Sequence, residues 1–244
     1  MYIEVITYCW NEMAILPFAL DYWKQYASHV TVYDNGSDDG SREFLEQYKP
    51  FVRVIPFGKE LNNDAMRHSK CNDWKVYRRL ADLVVVCDMD EMLIVEDDAL
   101  EKMLASGATI CAPTTYNLMG LIEPKYKGRL LHKVSPCAYF DPNPKAIVFR
   151  PDKIEEINYC AGAHKCDPTG EVKWYSGGLY NLHANNGLSL DYRIQRYEAM
   201  NNRRSQQDLI KGYASHYSMS EDQIRKEWNE ALKKTIDISG VMPW

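Results

Sequence analysis

Strand-like and helix-like segments alternate through the first part of the chain, and this alternation constrains the fold more than any other feature. Runs rich in β-branched residues, which are typical of strands, cover residues 2–8, 30–33, 52–57 and 84–87. Segments with helical character separate them, at residues 11–27, 42–48 and 65–80. Strands that alternate with helices form a parallel sheet covered by helices, and right-handed crossovers bring the strand ends to one edge. We therefore expect an α/β fold with its strand carboxyl ends on a common edge.

The fourth predicted strand stops at a cluster of carboxylates. Asp88 and Asp90 are separated by one residue, and Glu91 follows directly. If the chain stays extended past Cys87, Asp88 and Asp90 point to the same side, because alternate side chains of a strand share a face. Ligands of open α/β sheets bind at the carboxyl ends of strands, and hard oxygen ligands suit Mg²⁺ or Mn²⁺. The simpler interpretation is a solvated acidic turn.

Polar residues follow the first and second predicted strands as well. Asn11 follows the first strand and Asp34 ends the second. On a parallel sheet both residues lie at the same edge as Asp88. This convergence favours a site at that edge over an isolated acidic turn.

The second half of the chain has a weaker pattern. We expect mixed sheet and loops over residues 114–178, a strand over residues 179–182 that ends at His183, and a helix over residues 189–204. The arginines of that helix have the character of a solvated face. A last helix begins at Ser220, where Ser220 and Gln223 have capping-box spacing. We divide the chain into a first half (1–113), a second half of the same domain (114–210) and a C-terminal helical extension (211–244).

Composition excludes some classes of protein. The net charge of −5 over 244 residues argues against a nucleic-acid-binding surface. We expect neither a signal peptide nor a membrane span, because no apolar run is long enough, so that membrane contact would be peripheral. The seven cysteines are odd in number and scattered, which favours a cytoplasmic location. Cys160, His164 and Cys166 have part of a zinc-site spacing without a second pair.

Three motifs in order carry a resemblance to a known family. They are T-Y-C-W-N-E at residues 7–12, V-Y-D-N-G-S-D-D at residues 32–39 and C-D-M-D-E-M-L at residues 87–93. This order resembles family 2-like glycosyltransferases of the GT-A fold, in the branch with N-E, D-N-x-S-x-D and D-x-D-E motifs. His183 after a later strand also fits. The match is close up to the last of these motifs and continues loosely to Arg204.

The resemblance implies a fold, a cofactor and a set of site residues. The fold is a Rossmann-like single domain with a mixed, mainly parallel central sheet flanked by helices, in which residues 1–113 would be the nucleotide-sugar-binding half and residues 114–210 the acceptor-side half. A divalent ion, Mn²⁺ or Mg²⁺, would be held by Asp88, Asp90 and His183. Thr7, Asn11, Glu12 and Asp34 would lie near the nucleotide, and Asp88 would also contact the donor. Arg67 and Lys70 would reach the donor phosphates, with solvated helix charges as the equal alternative.

The implied reaction moves a single hexose or deoxyhexose, with inversion, from a nucleotide sugar to a hydroxyl of a glycan or other acceptor. UDP is the expected nucleotide from its frequency in the family. A Q-x-x-R-W signature of processive synthases is absent from the sequence, which favours transfer of one sugar. An inverting enzyme needs a general base. The candidates are Asp191, His164 and Asp167, because the family's downstream Glu-Asp pair is missing.

Other classes of protein share an acidic site on an α/β sheet. A nucleotidyltransferase usually has a glycine-rich basic loop after the first strand, where this chain has Cys9-Trp10-Asn11-Glu12. A metal-dependent hydrolase would use the same carboxylates to activate water. A catalytically inactive sugar-binding domain would be expected to lack a metal ligand, and none of those implied is missing here.

Overall fold

Fourteen short strands form the framework of the part of the chain that the structure describes. The computed structural model describes residues 1–120, 137–184, 186 and 188–238. In chain order the strands are β1 Ile3–Cys9, β2 His29–Asp34, β3 Val52–Pro56, β4 Leu83–Val86, β5 Glu91–Val95, β6 Ile110–Cys111, β7 Thr114–Leu118, β8 Cys137–Asp141, β9 Val148–Phe149, β10 Ile154–Glu156, β11 Thr169–Gly170, β12 Trp174–Tyr175, β13 Leu179–His183 and β14 Ile236–Asp237.

Seven of these strands form the central sheet, in the order β12-β6-β9-β4-β1-β2-β3. Neighbouring strands run parallel except β9, which is antiparallel to both β4 and β6. Cys9 pairs with Asp34, so that β1 and β2 end side by side. The expected α/β class, with a mixed and mainly parallel Rossmann-like central sheet, is confirmed.

Helices cover the sheet because the strands are apolar on both faces. The described α-helices are α1 Leu16–Trp23, α2 Ser41–Glu46, α3 Asn63–Asn72, α4 Ala99–Ala105, α5 Leu190–Asn202, α6 Gln206–Lys211 and α7 Glu221–Leu232. Val5 of β1 belongs to the same buried cluster as Phe18 and Trp23 of α1. Ile6 belongs to a second cluster with Trp74, which follows α3. Adjacent strand residues therefore contribute to different cores, as the two-residue period of a strand requires.

A second sheet places β13 next to the acidic segment. Its order is β14-β8-β7-β13-β5, and β13 runs antiparallel to β5 and parallel to β7. His183 at the end of β13 is opposite Glu91 at the start of β5. The backbone N–H of Ala184 donates to the carbonyl of Asp90 at 2.7 Å. This pairing fixes His183 beside the acidic residues.

Two predicted helices differ from the observed ones. α1 begins at Leu16 rather than near Asn11, because Asn11 has a left-handed φ of 52° that a helix does not admit. The helix expected over residues 65–80 is α3, which ends at Asn72 and is followed by a 3₁₀ turn over Asp73–Tyr77. The capping box at Ser220 and Gln223 is present as predicted.

The division into three parts stays a prediction. Residues 121–136 of the predicted acceptor-side half, Asn185 and Gly187 within it, and residues 239–244 of the predicted extension lie outside the described residues. β9 and β12 return from the second half into the central sheet, so the two halves share that sheet. Among the described helices, none has the length and apolar character needed to cross a bilayer.

Candidate functional site

A cavity of about 640 Å³ opens at the carboxyl edge of β1, β2 and β4. This volume is in the range of small-molecule sites, and the edge is where open α/β sheets bind ligands. Many of the residues singled out from the sequence line it: Glu12, Arg67, Lys70, Asp88, Asp90, His164 and His183. The fold thus brings together side chains that are far apart in the chain.

The acidic segment turns instead of continuing the strand. β4 ends at Val86, and the chain bends at Met89 and Asp90 before β5 begins. The Asp88 amide donates to a side-chain oxygen of Glu91 at 3.0 Å, and the Glu91 amide donates to the Asp88 carbonyl at 3.0 Å. The expectation of an extended chain past Cys87 was therefore wrong, because these two bonds close a turn. Asp88 and Asp90 line the same cavity nonetheless.

Two lysines hold the carboxylate of Asp88. Lys70 Nζ is 2.5 Å from Oδ1, and Lys145 Nζ is 2.9 Å from Oδ2. Lys145 also lies 2.9 Å from Oε1 of the buried Glu91. Burial raises the pKa of Asp88, but Lys145 and Lys70 outweigh it and hold the pKa well below its usual value. Asp88 is therefore a stable anion that anchors two cations.

Lys145 was not found from the sequence. It lies just before β9, whose antiparallel direction puts the start of the strand at the carboxyl edge of its parallel neighbours. Burial lowers the pKa of Lys145, but Asp88 and Glu91 raise it well above its usual value. An isolated lysine before a short apolar run gives no sequence signal of this role.

Asp90 faces His183 across the cavity. Oδ2 of Asp90 lies 3.4 Å from Nε2 of His183. On the other side of the ring, Nδ1 of His183 is 2.9 Å from Oδ1 of Asn117, and Nδ2 of Asn117 donates to Asp141 at 3.1 Å. An amide oxygen only accepts, so Nδ1 carries a hydrogen and donates it to Asn117. This arrangement aims Nε2 at Asp90.

The pKa values of this pair shift in opposite directions. Burial raises the pKa of Asp90, but the opposite effect of His183 outweighs it, so the pKa of Asp90 lies below its usual value. Burial lowers the pKa of His183, but Asp90 outweighs it and raises the pKa above its usual value. A positive charge between Nε2 and the carboxylate is thus favourable, whether it is a proton or a cation.

Asp90 and His183 fit a divalent cation. One carboxylate and one imidazole are suitable ligands, and metal-binding histidines commonly donate their other ring hydrogen to a neighbouring oxygen, as His183 does to Asn117. Within the described part of the chain, no group of three or more His, Cys, Asp or Glu side chains is placed to hold a metal ion. A bound cation would therefore take its other ligands from water and substrate, which is usual for Mg²⁺.

Arginines from α5 and the residue after it close one side of the cavity. Arg196 forms an ion pair with Glu12 and donates to the carbonyl of Trp10 at 2.8 Å. Arg203 stacks on the Trp10 ring at 3.7 Å and donates to the Asn35 carbonyl at 2.8 Å. The expectation of a solvated arginine face was wrong, because the helix packs this face against the loops after β1 and β2. The spacing of Arg193, Arg196 and Arg203 on one helical face is the signal that could have predicted it.

The predicted nucleotide-contacting residues occupy different positions. Glu12 lines the cavity, and burial raises its pKa to about 8 although Arg196 opposes the shift. Asn11 instead donates to Asp38 at 2.7 Å, and Asp34 accepts from the Ser37 amide at 3.1 Å. Thr7 is fully buried in β1. Asn11 and Asp34 thus bond to the loop after β2, Thr7 lies within the sheet, and the contact of all three with a nucleotide stays a prediction.

The three candidates for a general base differ in their position relative to the cavity. His164 lines the cavity, and desolvation and Lys145 lower its pKa. Asp191 has a side chain that is 81% exposed and lies 4.0 Å from Arg225. Asp167 is exposed, and its backbone carbonyl accepts from Asn158. Neither aspartate is among the residues that line the cavity.

Comparison with known proteins gives similar solved structures only. No protein-family model matches the chain, and no curated protein matches it significantly. S. aureus TarS is 12% identical with a TM-score of 0.46, over 83% of this chain and 43% of TarS. The structure of S. aureus TarS 1–349 in complex with UDP is also 12% identical with a TM-score of 0.46, over 83% of this chain and 71% of that chain. This chain therefore spans less than half the length of the first of these TarS chains.

A second similar structure is glucosyl-3-phosphoglycerate synthase from Mycobacterium tuberculosis, in complex with Mn²⁺, UDP and glucosyl-3-phosphoglycerate. It is 19% identical with a TM-score of 0.32, over 48% of this chain and 44% of that chain.

Proposed function

We propose that the protein is a metal-dependent glycosyltransferase that moves a single sugar from a nucleotide-sugar donor to a hydroxyl acceptor. The observation that carries the proposal is the Asp90 and His183 pair, 3.4 Å apart in a cavity at the carboxyl edge of the central sheet. Asn117 orients the imidazole and Lys70 and Lys145 flank the neighbouring Asp88. This combination of ligand pair and cations suits a diphosphate-bearing substrate.

Asp90 and His183 would hold the divalent ion in this proposal. The ion, when bound, supplies stabilisation of the negative charge on a nucleoside diphosphate leaving group. Asp88 keeps the two ammonium groups in place beside that charge. Its role as a direct metal ligand stays a prediction, because both of its oxygens have lysine partners.

His164 is the proposed general base. The acceptor hydroxyl oxygen attacks the anomeric carbon while the bond from that carbon to the diphosphate oxygen breaks. The hydroxyl proton passes to an imidazole nitrogen of His164, and the nucleoside diphosphate leaves with the electron pair. His164 lines the cavity and has a lowered pKa, so it is neutral near pH 7 and able to accept a proton. Direct attack inverts the anomeric configuration.

The substrates follow the family resemblance in this proposal. The donor is a UDP-sugar that carries a hexose or deoxyhexose, and the acceptor is a hydroxyl of a glycan or another molecule. The reaction takes place in the cytoplasm, which is supported by six described cysteines that are all free. UDP is also the nucleotide in the S. aureus TarS complex, and Mn²⁺ accompanies it in the M. tuberculosis synthase. These ligands are therefore the first probes.

Calorimetric titration with UDP, GDP and dTDP tests the proposal, each with Mn²⁺ and with EDTA. We expect one nucleotide to bind wild-type protein more tightly with Mn²⁺, and Asp90→Ala to abolish that gain. Asp152→Ala is the matched control, because Asp152 pairs with Arg150 and does not line the cavity. Absence of binding by all three nucleotides under both conditions would refute the transferase proposal.

A further inference from the structure

We propose that the ammonium groups of Lys70 and Lys145, both anchored on Asp88, bind the diphosphate oxygens of the donor directly, so that diphosphate affinity persists without a divalent ion. This inference rests on the proposed function for the identity of the donor. It goes beyond that function by assigning a second, protein-borne source of positive charge and by naming Lys145 as part of it.

Both lysines are buried and both line the cavity. The side chain of Lys70 is 7% exposed and that of Lys145 is 9% exposed. A lysine ammonium carries three hydrogens and no acceptor. Lys145 donates to Asp88 and makes an ion pair with Glu91, and Lys70 donates to Asp88. Among the described residues, one hydrogen of Lys145 and two of Lys70 thus have no assigned acceptor.

Buried ammonium hydrogens require acceptors, because an unpaired buried donor of this kind is costly. The Tyr8 ring lies 5.3 Å from Lys70 Nζ and supplies a π face rather than an oxygen. Both lysines also line the cavity. Anionic phosphate oxygens are the strongest acceptors for ammonium hydrogens, and charge-assisted bonds of this kind are about twice as strong as neutral ones.

The two lysines come from different parts of the fold. Lys70 belongs to the last turn of α3, and Lys145 precedes β9. Asp88 joins them across the cavity edge by accepting from both. The first aspartate of the D-x-D motif thus serves here to place two cations.

Arg67 adds a third cation to the same wall. It lies one helical turn before Lys70 on α3 and lines the cavity. Its nearest carboxylate contact is with Asp64 at 3.8 Å, which is a weak, partly exposed pair. The wall formed by Arg67, Lys70 and Lys145 is therefore suited to an anion with several oxygens, and a diphosphate is the class that the proposed donor contains.

Calorimetry in EDTA tests this inference with UDP and inorganic pyrophosphate as probes. We expect wild-type protein to bind both probes measurably without metal, and Lys145→Met to weaken both by about tenfold or more, which is the size of one charge-assisted hydrogen bond. Lys75→Met is the matched control, because Lys75 is a partly buried lysine that pairs with Glu156 and does not line the cavity. We expect it to bind as the wild type does.

Loss of Lys145 leaves Glu91 with one fewer cation, so Lys145→Met can fail to fold. The double variant Lys145→Met/Glu91→Gln removes one positive and one negative charge, so the local net charge is unchanged. We expect this variant to fold, as judged by circular dichroism, and to show the same weakened binding of pyrophosphate. Unchanged affinity for pyrophosphate in the folded double variant would overturn the inference.

The outcomes separate the inference from the proposed function. If UDP binds with Mn²⁺ but Lys145 variants bind both probes as the wild type does, the inference fails and the transferase proposal stands. If pyrophosphate binding depends on Lys145 but no nucleotide binds, binding of a diphosphate by Lys70 and Lys145 is supported and the proposed function fails. If neither probe binds wild-type protein in EDTA, the inference is refuted directly.

Discussion

Asn117 accepts a hydrogen bond from Nδ1 of His183 at 2.9 Å and thereby aims the opposite nitrogen of the ring at Asp90. Asn117 is itself oriented by its own bond to Asp141. The chain Asp141, Asn117, His183 and Asp90 therefore sets the ring orientation before any cation binds. Residues of this supporting kind commonly alter metal affinity by about 10–100-fold when they are replaced.

Replacing Asn117 tests that supporting role. We expect Asn117→Leu to weaken Mn²⁺ binding by about 10–100-fold, because the imidazole loses the acceptor that fixes its ring hydrogen. Titration followed by the electron paramagnetic resonance signal of free Mn²⁺ measures the affinity. Asn143→Leu, at an exposed position, is the control. Equal Mn²⁺ affinity in Asn117→Leu and wild type would show that Asn117 does not orient the ligand.

The lowered pKa of His164 predicts the pH dependence of transfer. Its neutral form is the base, so activity is present above its pKa and is lost as the pH falls through it. Desolvation and Lys145 lower that pKa, so the acid limb of kcat/KM should lie below the usual histidine value of 6.5. Rates measured with UDP-sugar over a range of pH locate the limb.

The variant His164→Gln provides the comparison for that profile. We expect it to lower kcat by about 100-fold or more and to abolish the acid limb, because general base catalysis contributes on this scale. Binding of UDP with Mn²⁺ should be retained. An acid limb that survives in His164→Gln would assign the base to another residue.

The ion pair between Arg196 and Glu12 is expected to stabilise the fold. Glu12 is ionised only above its raised pKa of about 8, so at about pH 9 Arg196→Met leaves its largely buried carboxylate without a cation, and we expect the free energy of unfolding at that pH to fall by about 3 kcal/mol. Urea unfolding followed by circular dichroism measures the change. Arg42→Met at an exposed position of α2 is the control and should change stability by less than about 0.5 kcal/mol.

The double variant Arg196→Met/Glu12→Gln checks the reason for that loss. Removing the charge of Glu12 as well should recover part of the stability, because no buried anion is then left unpaired. A double variant that is less stable than Arg196→Met would point to lost packing of Arg196 against Trp10 instead, where the guanidinium lies 4.9 Å from the ring.

A buried aspartate connects α6 to the start of α3. Asp208 is fully buried and accepts from the backbone amide of Asn63 at 3.1 Å and from its side chain at 2.9 Å. We expect Asp208→Ala to lower the free energy of unfolding by about 2 kcal/mol, because it leaves these donors unpaired. Chemical denaturation measures this, with Asp222→Ala on the exposed start of α7 as the control. A loss no larger than that of the control would contradict the expectation.

The alternation of strands and helices in the first part of the chain was enough to predict the fold class. It also placed the ends of β1, β2 and β4 on one edge, because parallel strands joined by crossovers must end together. The ends of helices and strands were less well predicted where local hydrogen bonds, which the hydrophobic periodicity does not reveal, determine the backbone. The turn from Asp88 to Glu91 depends on a hydrogen bond from the Asp88 amide to the Glu91 side chain. Such a bond produces no periodic pattern in the sequence.

The grouping of charges at the site was only partly predictable. Asp88, Asp90 and His183 could be singled out because each follows an apolar run. Lys145 could not be assigned, and for the arginines of α5 the only signal was their spacing on one helical face, since charged residues on helices and before strands are most often solvated. Their burial depends on which elements pack against the cavity edge.

The sequence by itself determined the α/β class, the common edge of the parallel strands and the presence of carboxylates there, because these follow from periodicity and from the order of segments. Only the tertiary structure decided which partners those carboxylates have. Asp88 is anchored by Lys70 and Lys145 and Asp90 faces His183, and both relations join residues far apart in the chain. Such pairings are set by strand order and packing, because electrostatic contacts act through distance in space and not along the chain.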